Sequence, residues 1–153
     1  MRGLSAAILV MASTASFALA QERQVGVPLE FRPLERVYFV EVTFNEELGP
    51  VDFMLDTGAS ISVVKYALIE ALRAEPVGTE VTYAFNGAEV PLIKYRIPRL
   101  ELGECGLTEV HVLSAPTLPE NVLGLDVLIR LMPFTVGMNE LTFQCPDQEV
   151  PAG

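Results

Sequence analysis

Short β-branched and aromatic runs, each cut off by Gly, Pro or Asn, restrict the architecture of this chain more than any other feature. Val37-Tyr38-Phe39-Val40-Glu41-Val42-Thr43-Phe44 is a strand by propensity, because branched and aromatic side chains pack well on a pleated surface. Residues 45–50, with Gly49, turn it into a return strand over 51–55. Residues 79–85 and 88–93 flank Asn86-Gly87, a pair that suits a tight hairpin turn because both positions accept positive φ. A further pair over 94–102 and 107–113 surrounds Gly103 and Gly106, and 134–136 with 141–143 closes a last hairpin. Only two stretches have helical spacing: 63–73, apolar at Val64, Ala67, Leu68, Ala71 and Leu72, and 124–131. The expectation is an all-β domain, a small closed barrel or sandwich, with one or two short helices. Half of the 153 residues are hydrophobic and 20% are charged, which supports one packed domain and excludes disorder as the main state.

The first twenty residues stand apart from this pattern. Met1-Arg2-Gly3 is a basic start, 4–12 is apolar, and Ala18-Leu19-Ala20 has the small–x–small form of a signal-peptidase site. Residues 1–20 therefore read as a signal peptide cleaved before Gln21, leaving an exported protein, periplasmic or secreted, with no stable membrane insertion. The other reading is a retained anchor, since 3–20 is uncharged and barely long enough to span, although Ser5, Ser13, Thr14 and Ser16 dilute it. Residues 21–35, with Pro28 and Pro33, read as an extended N-terminal arm, 36–145 as the folded domain and 146–153 as a flexible tail. Export also decides how the two cysteines are read: in an oxidising compartment Cys105 and Cys145 are expected to form a disulfide.

Charge removes several partners. Lys plus Arg number 10 and Asp plus Glu 20, a net charge of −10 that repels nucleic-acid phosphates and anionic membrane surfaces. His111 is the only histidine, so a site built on paired histidines is ruled out. No HExxH or CxxC spacing occurs, and neither metal nor cofactor is expected.

Two segments carry possible chemistry. In Phe53-Met54-Leu55-Asp56-Thr57-Gly58-Ala59-Ser60 an apolar strand delivers an Asp to its end. Gly58 lets backbone N–H groups approach the carboxylate, Thr57 offers a hydroxyl beside it, and Ser60 can donate a hydrogen bond. Alone, Asp-Thr-Gly reads as a strand ending in an Asx turn. In Asn121-Val122-Leu123-Gly124-Leu125-Asp126-Val127-Leu128 an apolar pair runs into Gly and a short helix, and alone this is a strand-to-helix turn with Asp126 as a helix-start acid. Other chemistries find less support. Gly58-Ala59-Ser60-Ile61-Ser62 nearly matches a nucleophile elbow, but Ser62 replaces the last Gly, and His111 reads as a solvated strand residue between Val110 and Val112. Glu46-Glu47 reads as a solvated turn pair and Asp52 as a surface residue.

Together, in this order and spacing, the two segments resemble the retropepsins, the retroviral-type aspartic proteases, and their exported bacterial relatives, from about Val37 to Phe143. The resemblance implies a small closed barrel active as a two-fold homodimer on a peptide or protein substrate. It makes the chain an aspartic endopeptidase whose water is activated by two Asp carboxylates, one from each subunit. Asp56 is then the catalytic acid/base, with Thr57, Gly58, Ala59 and Ser60 supporting the loop and the Thr57 hydroxyls locking the two loops across the axis. Tyr83, Phe85, Asn86 and Gly87 fall where the family keeps its flap, although Tyr83 and Phe85 also suit plain cross-strand packing. Pro119 and Val122 are carried over as substrate-binding residues. The chain departs from the retroviral pattern at Ser60 and Leu125, where an Asp and an Arg commonly form an ion pair, and in its cysteine pair. The alternative is a catalytically silent peptide-binding or dimerisation module on the same fold.

Overall fold

The computed structural model describes residues 23–83 and 87–145. The expected signal peptide 1–20, the hairpin residues Phe85 and Asn86, and the tail 146–153 lie outside the described residues. Strand β3 (Val37–Thr43) buries Val40 and Val42 and turns Glu41 to water, the period-two pattern of a half-buried strand. Its antiparallel partner β4 (Pro50–Leu55) sets Phe53 opposite Val40 and Asp52 opposite Glu41. The turn between them is closed by Asn45, whose Oδ1 accepts the Leu48 N–H at 2.8 Å, and Gly49 supplies the left-handed step at φ +70°.

After β4 the chain makes β5 (Val63–Lys65), then the helix α1 (Tyr66–Leu72), which buries Leu68 and Ile69. The long strands β6 (Glu75–Tyr83), β7 (Glu89–Leu102) and β8 (Cys105–Ala115) follow. Then come β9 (Asn121–Leu123), α2 (Leu125–Leu128) with a 3-10 turn over Ile129–Leu131, and the hairpin β10 (Phe134–Val136) and β11 (Glu140–Cys145). At the N-terminal end lie β1 (Arg23–Pro28) and β2 (Glu30–Arg32). The eight-stranded sheet has the order β2-β3-β4-β9-β5-β8-β7-β6, and Thr43 of β3 pairs with Glu101 of β7, so β3-β4-β9-β5-β8-β7 closes into a ring. This is the mostly β closed architecture that the turn-punctuated sequence implied, with its two short helices.

Two differences from the sequence expectation have physical reasons. Residues 94–102 are not a separate strand: β7 runs unbroken through Pro91 and Pro98 for 14 residues. Its buried residues change face along the way. Ile97 pairs with Val110 and Leu100 with Leu107, all four buried, yet three residues separate 97 from 100 and 107 from 110. The long hairpin therefore serves the core with one face near Ile97 and with the other near Leu100, and a single alternating pattern breaks in the middle. The segment read as an arm is built into the sheets. From Arg23 to Pro28 it pairs with β11 in a three-stranded sheet β1-β11-β10, and β2 pairs with β3. Val25, Val27 and Leu29 alternate into the core cluster that holds Leu100, Leu102 and Phe143. Gly103, in the β7–β8 turn, has φ +56°, and a Cβ there would lie 2.7 Å from Val27 Cγ1. Only glycine suits that turn against β1.

Cys105 and Cys145 are bonded, with Cα atoms 5.6 Å apart, and tie the start of β8 in the large sheet to the end of β11 in the small one. Both cysteines are buried. The bridge closes a loop of 40 residues, and the restriction this places on the unfolded chain corresponds to about 4 kcal/mol of stability. Cys105→Ser with Cys145→Ser is expected to lower the unfolding free energy by about that amount. Urea titrations of the double variant and of wild type measure the loss, and thiol labelling of native wild type is expected to find neither cysteine free.

Candidate active site

β4 and β9 run parallel, with Met54 beside Val122 and Leu55 beside Leu123. The chain leaves β4 at Asp56, whose N–H extends the ladder to the Leu123 carbonyl at 3.1 Å. It then crosses the end of β9 and returns as β5 on the other side, where Val63 pairs with Val122. Two consecutive strands thus flank β9, and residues 56–62 form the crossing loop. Asp56 is half-buried. Its Oδ1 accepts the Gly58 N–H at 2.8 Å, and its carbonyl accepts the Ala59 N–H at 3.2 Å. A Cβ on residue 58 would lie 3.1 Å from that same oxygen, so the glycine leaves room for the N–H to aim at the carboxylate. Thr57, Gly58 and Ser60 are exposed and Ala59 is half-buried.

The rear of the loop is fastened to the β9–α2 turn. The Leu125 N–H donates to the Ala59 carbonyl at 2.8 Å and the Asp126 N–H to the Ser60 carbonyl at 3.2 Å. Ser62 donates both its N–H, at 2.9 Å, and its hydroxyl, at 2.8 Å, to Asp126 Oδ1, and its oxygen accepts the Gly124 N–H at 2.9 Å. Gly124 is required here by space and not by conformation: its φ is −96°, but a Cβ would meet the Ile61 carbonyl carbon at 2.8 Å and the Ala59 oxygen at 2.9 Å. In the sequence Asp126 has the pattern of a helix-start acid, and Ser62 stands where a nucleophile elbow has its last glycine. Their pairing across 64 residues is a tertiary contact that neither local pattern carries. Burial pushes the Asp126 carboxyl above the ordinary carboxylate range, against the hydrogen bonds from the Ser62 hydroxyl and N–H, which pull it down.

Of the residues expected as a flap, Tyr83 ends β6 and Gly87 lies two residues before β7, while Phe85 and Asn86 lie outside the described residues. Pairing runs as far as Tyr83 opposite Glu89, Tyr83 is exposed, and Gly87 has φ +81°. Pro119 and Val122 come together in one cavity of about 270 Å³, with Glu35, Val37, Phe39, Met54, Leu118 and Glu120. Met54 of this cavity lies two residues before Asp56, which directly follows β4 and continues its ladder to β9, so the cavity lies against the strand that leads to the carboxylate. His111 sits in β8 across from Arg96, between buried Val110 and Val112. Among the described residues, no group of three or more His, Cys, Asp or Glu side chains is placed to hold a metal ion.

A closed β ring with a strand crossing that carries Asp-Thr-Gly defines a retropepsin-like aspartic protease domain. The chain belongs to the aspartyl protease family, whose sequence model matches residues 40–127. No curated protein sequence matches it. Its fold is similar to the crystal structure of a retropepsin-like aspartic protease from Rickettsia conorii, at 14% identity and a TM-score of 0.59, over 80% of this chain and 93% of that one. It is also similar to the EIAV protease complexed with the inhibitor HBY-793, at 23% identity and a TM-score of 0.53, over 64% of this chain and 90% of that one.

Two outcomes follow from the fastening. Gly124→Ala forces backbone apart and is expected to destabilise the domain by about 1–3 kcal/mol in denaturant titration. For Asp126 the folded value lies above the unfolded one, so its contribution is most favourable below the ordinary carboxylate value. That contribution is lost as pH rises from there through the raised folded value. The stability difference between wild type and Asp126→Asn, measured by urea unfolding across that window, is expected to move against wild type with increasing pH and to level off above it.

Proposed function

We propose that this protein is an aspartic endopeptidase that works as a two-fold homodimer, with Asp56 of each subunit forming the catalytic pair. The observation that carries the reading is the fastened Asp-Thr-Gly loop, which holds a half-buried carboxylate with one backbone donor and leaves Thr57, Gly58 and Ser60 open to the outside. The chain contains a single Asp-Thr-Gly. Retropepsin-like proteases typically act as homodimers on peptide substrates, and a two-fold axis at this open side would supply the second carboxylate. Two carboxylates in contact hold one proton between them, because both cannot easily ionise. The ionised one takes a proton from a bound water, whose oxygen attacks the scissile carbonyl carbon. The protonated one donates to the carbonyl oxygen. Collapse of the tetrahedral intermediate breaks the C–N bond and hands a proton to the leaving amine. No step needs a metal or cofactor.

In this reading Thr57 bridges the two loops, Ala59 and Ser60 shape the loop's hydrogen bonding, and the hairpin with Tyr83, Phe85, Asn86 and Gly87 covers the bound peptide. Pro119 and Val122 form part of the wall that receives it. Residues 1–20 act as an export signal and 146–153 as a tail. The disulfide supports an extracytoplasmic location, since such bridges persist in oxidising compartments. No helix among the described residues is long and apolar enough to cross a membrane.

Asp56→Asn preserves shape and removes the proton carrier. It is expected to lower peptide cleavage by at least about 10³-fold while circular dichroism and sedimentation stay as in wild type. Activity within a few-fold of wild type overturns the mechanism, and selective peptide binding without wild-type turnover supports the silent module instead. Specific activity is also expected to fall on dilution below the dimer constant, with sedimentation showing monomer at the same concentrations. Full activity in a demonstrated monomer excludes the shared pair.

A further inference from the structure

We propose that the cavity beside Asp56 selects a Lys or Arg side chain adjoining the scissile bond, with Glu35 and Glu120 as the specificity-determining residues. The inference rests on the reading of Asp56 as the cleavage centre. Met54, which lines the cavity near the end of β4, lies two residues before Asp56, about 7 Å along an extended chain, and the Asp56 N–H continues the ladder to Leu123. An extended peptide lying over the carboxylate therefore drops a neighbouring side chain into this space. The floor is apolar, formed by Val37, Phe39, Met54 and Val122, and the two charged groups of the lining, Glu35 and Glu120, are both carboxylates.

An apolar floor with acidic groups beside it matches a side chain that has a hydrocarbon stem and a cationic head. Lys and Arg bury such stems against apolar surface while the charge stays near water. A Glu or Asp side chain would meet like charge, and a purely apolar one would leave the carboxylates without a new partner. The nearby cations cancel the pair only in part. Lys65 forms an ion pair with Glu120 at 3.1 Å, with both groups partly exposed, but it does not line the cavity, and among the described residues no ion pair engages Glu35. The Arg32 guanidinium lies over the Phe39 ring at 3.7 Å and pairs with Glu30 and Asp52. Arg36, next in sequence to Glu35, also lies outside the lining. The net charge of −10 adds long-range attraction for a cationic peptide.

The test uses peptides that differ only at the residue before the scissile bond: Lys, its uncharged analogue norleucine, or Glu. The kcat/KM of each is measured with wild type, Glu35→Gln, Glu120→Gln and the double variant. Wild type is expected to prefer Lys over norleucine by about ten-fold and to reject Glu. Each single variant is expected to reduce the Lys preference roughly two- to five-fold, more at Glu35 because Lys65 already engages Glu120, and the double variant to erase it. A wild type indifferent to Lys, or a double variant that keeps the preference, overturns the proposal. If no peptide is cleaved, the endopeptidase reading fails separately. The affinities of wild type and the double variant for the same labelled peptides, by fluorescence anisotropy, then decide. A Lys preference lost in the double variant supports the proposal, whereas equal affinities or no binding overturn it.

Discussion

The Ser62–Asp126 contact is the constraint on which the candidate site depends. A loop of seven residues that crosses a strand end has few backbone partners of its own, and every buried donor left unpaired costs about 1–3 kcal/mol. One carboxylate oxygen accepts both donors of Ser62, and the Ser62 oxygen accepts the Gly124 N–H. This fixes the distance between the loop and the β9–α2 turn closely enough that Gly124 has no room for a side chain. The hydrogen bonds favour an ionised Asp126 and burial disfavours it, so the fastening is a balance of two opposed effects and not a simple ion site. Asp56, at the other end of the loop, is held to the same β9 end, where its own N–H reaches the Leu123 carbonyl.

Much of the fold was legible because its signals are local. The strand pair around Gly49, the last hairpin, the two short helices and the cysteine pairing each follow from residue type and spacing. So did the sites of Asp56, Thr57 and Gly58 at a strand end. The parts that escaped are those set by distant partners. Val25, Val27 and Leu29 alternate as a strand does, yet Pro28 and Pro33 give the same segment the signature of an extended arm. Their role appears only when β11 lies alongside. The unbroken β7 escaped because its apolar phase changes between Ile97 and Leu100, and no window of one period contains both halves. In the site, Ser62 and Gly124 had signals of the right type, a hydroxyl and a glycine, but their meaning lay in each other. Of the cavity, Pro119 and Val122 follow from the family resemblance alone, whereas Glu35, Phe39 and Met54 join it from strands and turns far away in sequence.

The small sheet explains how so short a domain supports a crossing loop at all. β1 pairs with β11 along six residues, so the two ends of the described chain close on each other. Arg23 secures this end by donating to the Glu104 side chain at 2.9 Å and to its carbonyl at 3.0 Å, beside the bridge from Cys105 to Cys145. The exposed ion pair adds little by itself, and the covalent link and the buried Leu141 and Phe143 carry the weight. The β7–β8 turn is thereby capped, and the long hairpin that leads to Tyr83 projects from a fixed base.

The loop is fastened behind and open in front, and that asymmetry bears on how the proposed enzyme would assemble. Residues 59, 60 and 62 are engaged by the β9–α2 turn, while the side chain of Thr57 and the backbone of Gly58 face outward. Association through that open side would bring one carboxylate against its symmetry mate, and the pair would then retain a proton that neither would hold alone. In that case assembly and proton uptake would be one linked event: acid would favour the pair, and forming the pair would take up a proton. The global charge pulls in the same direction. With 20 acidic and 10 basic residues, two copies repel each other at neutral pH, and protonating carboxylates reduces that repulsion. Salt would relieve the long-range part of the repulsion without supplying the proton. Ionic strength and pH would therefore act on different steps of the proposed assembly, and a dimer formed at high salt and neutral pH need not carry the proton that the proposed chemistry requires.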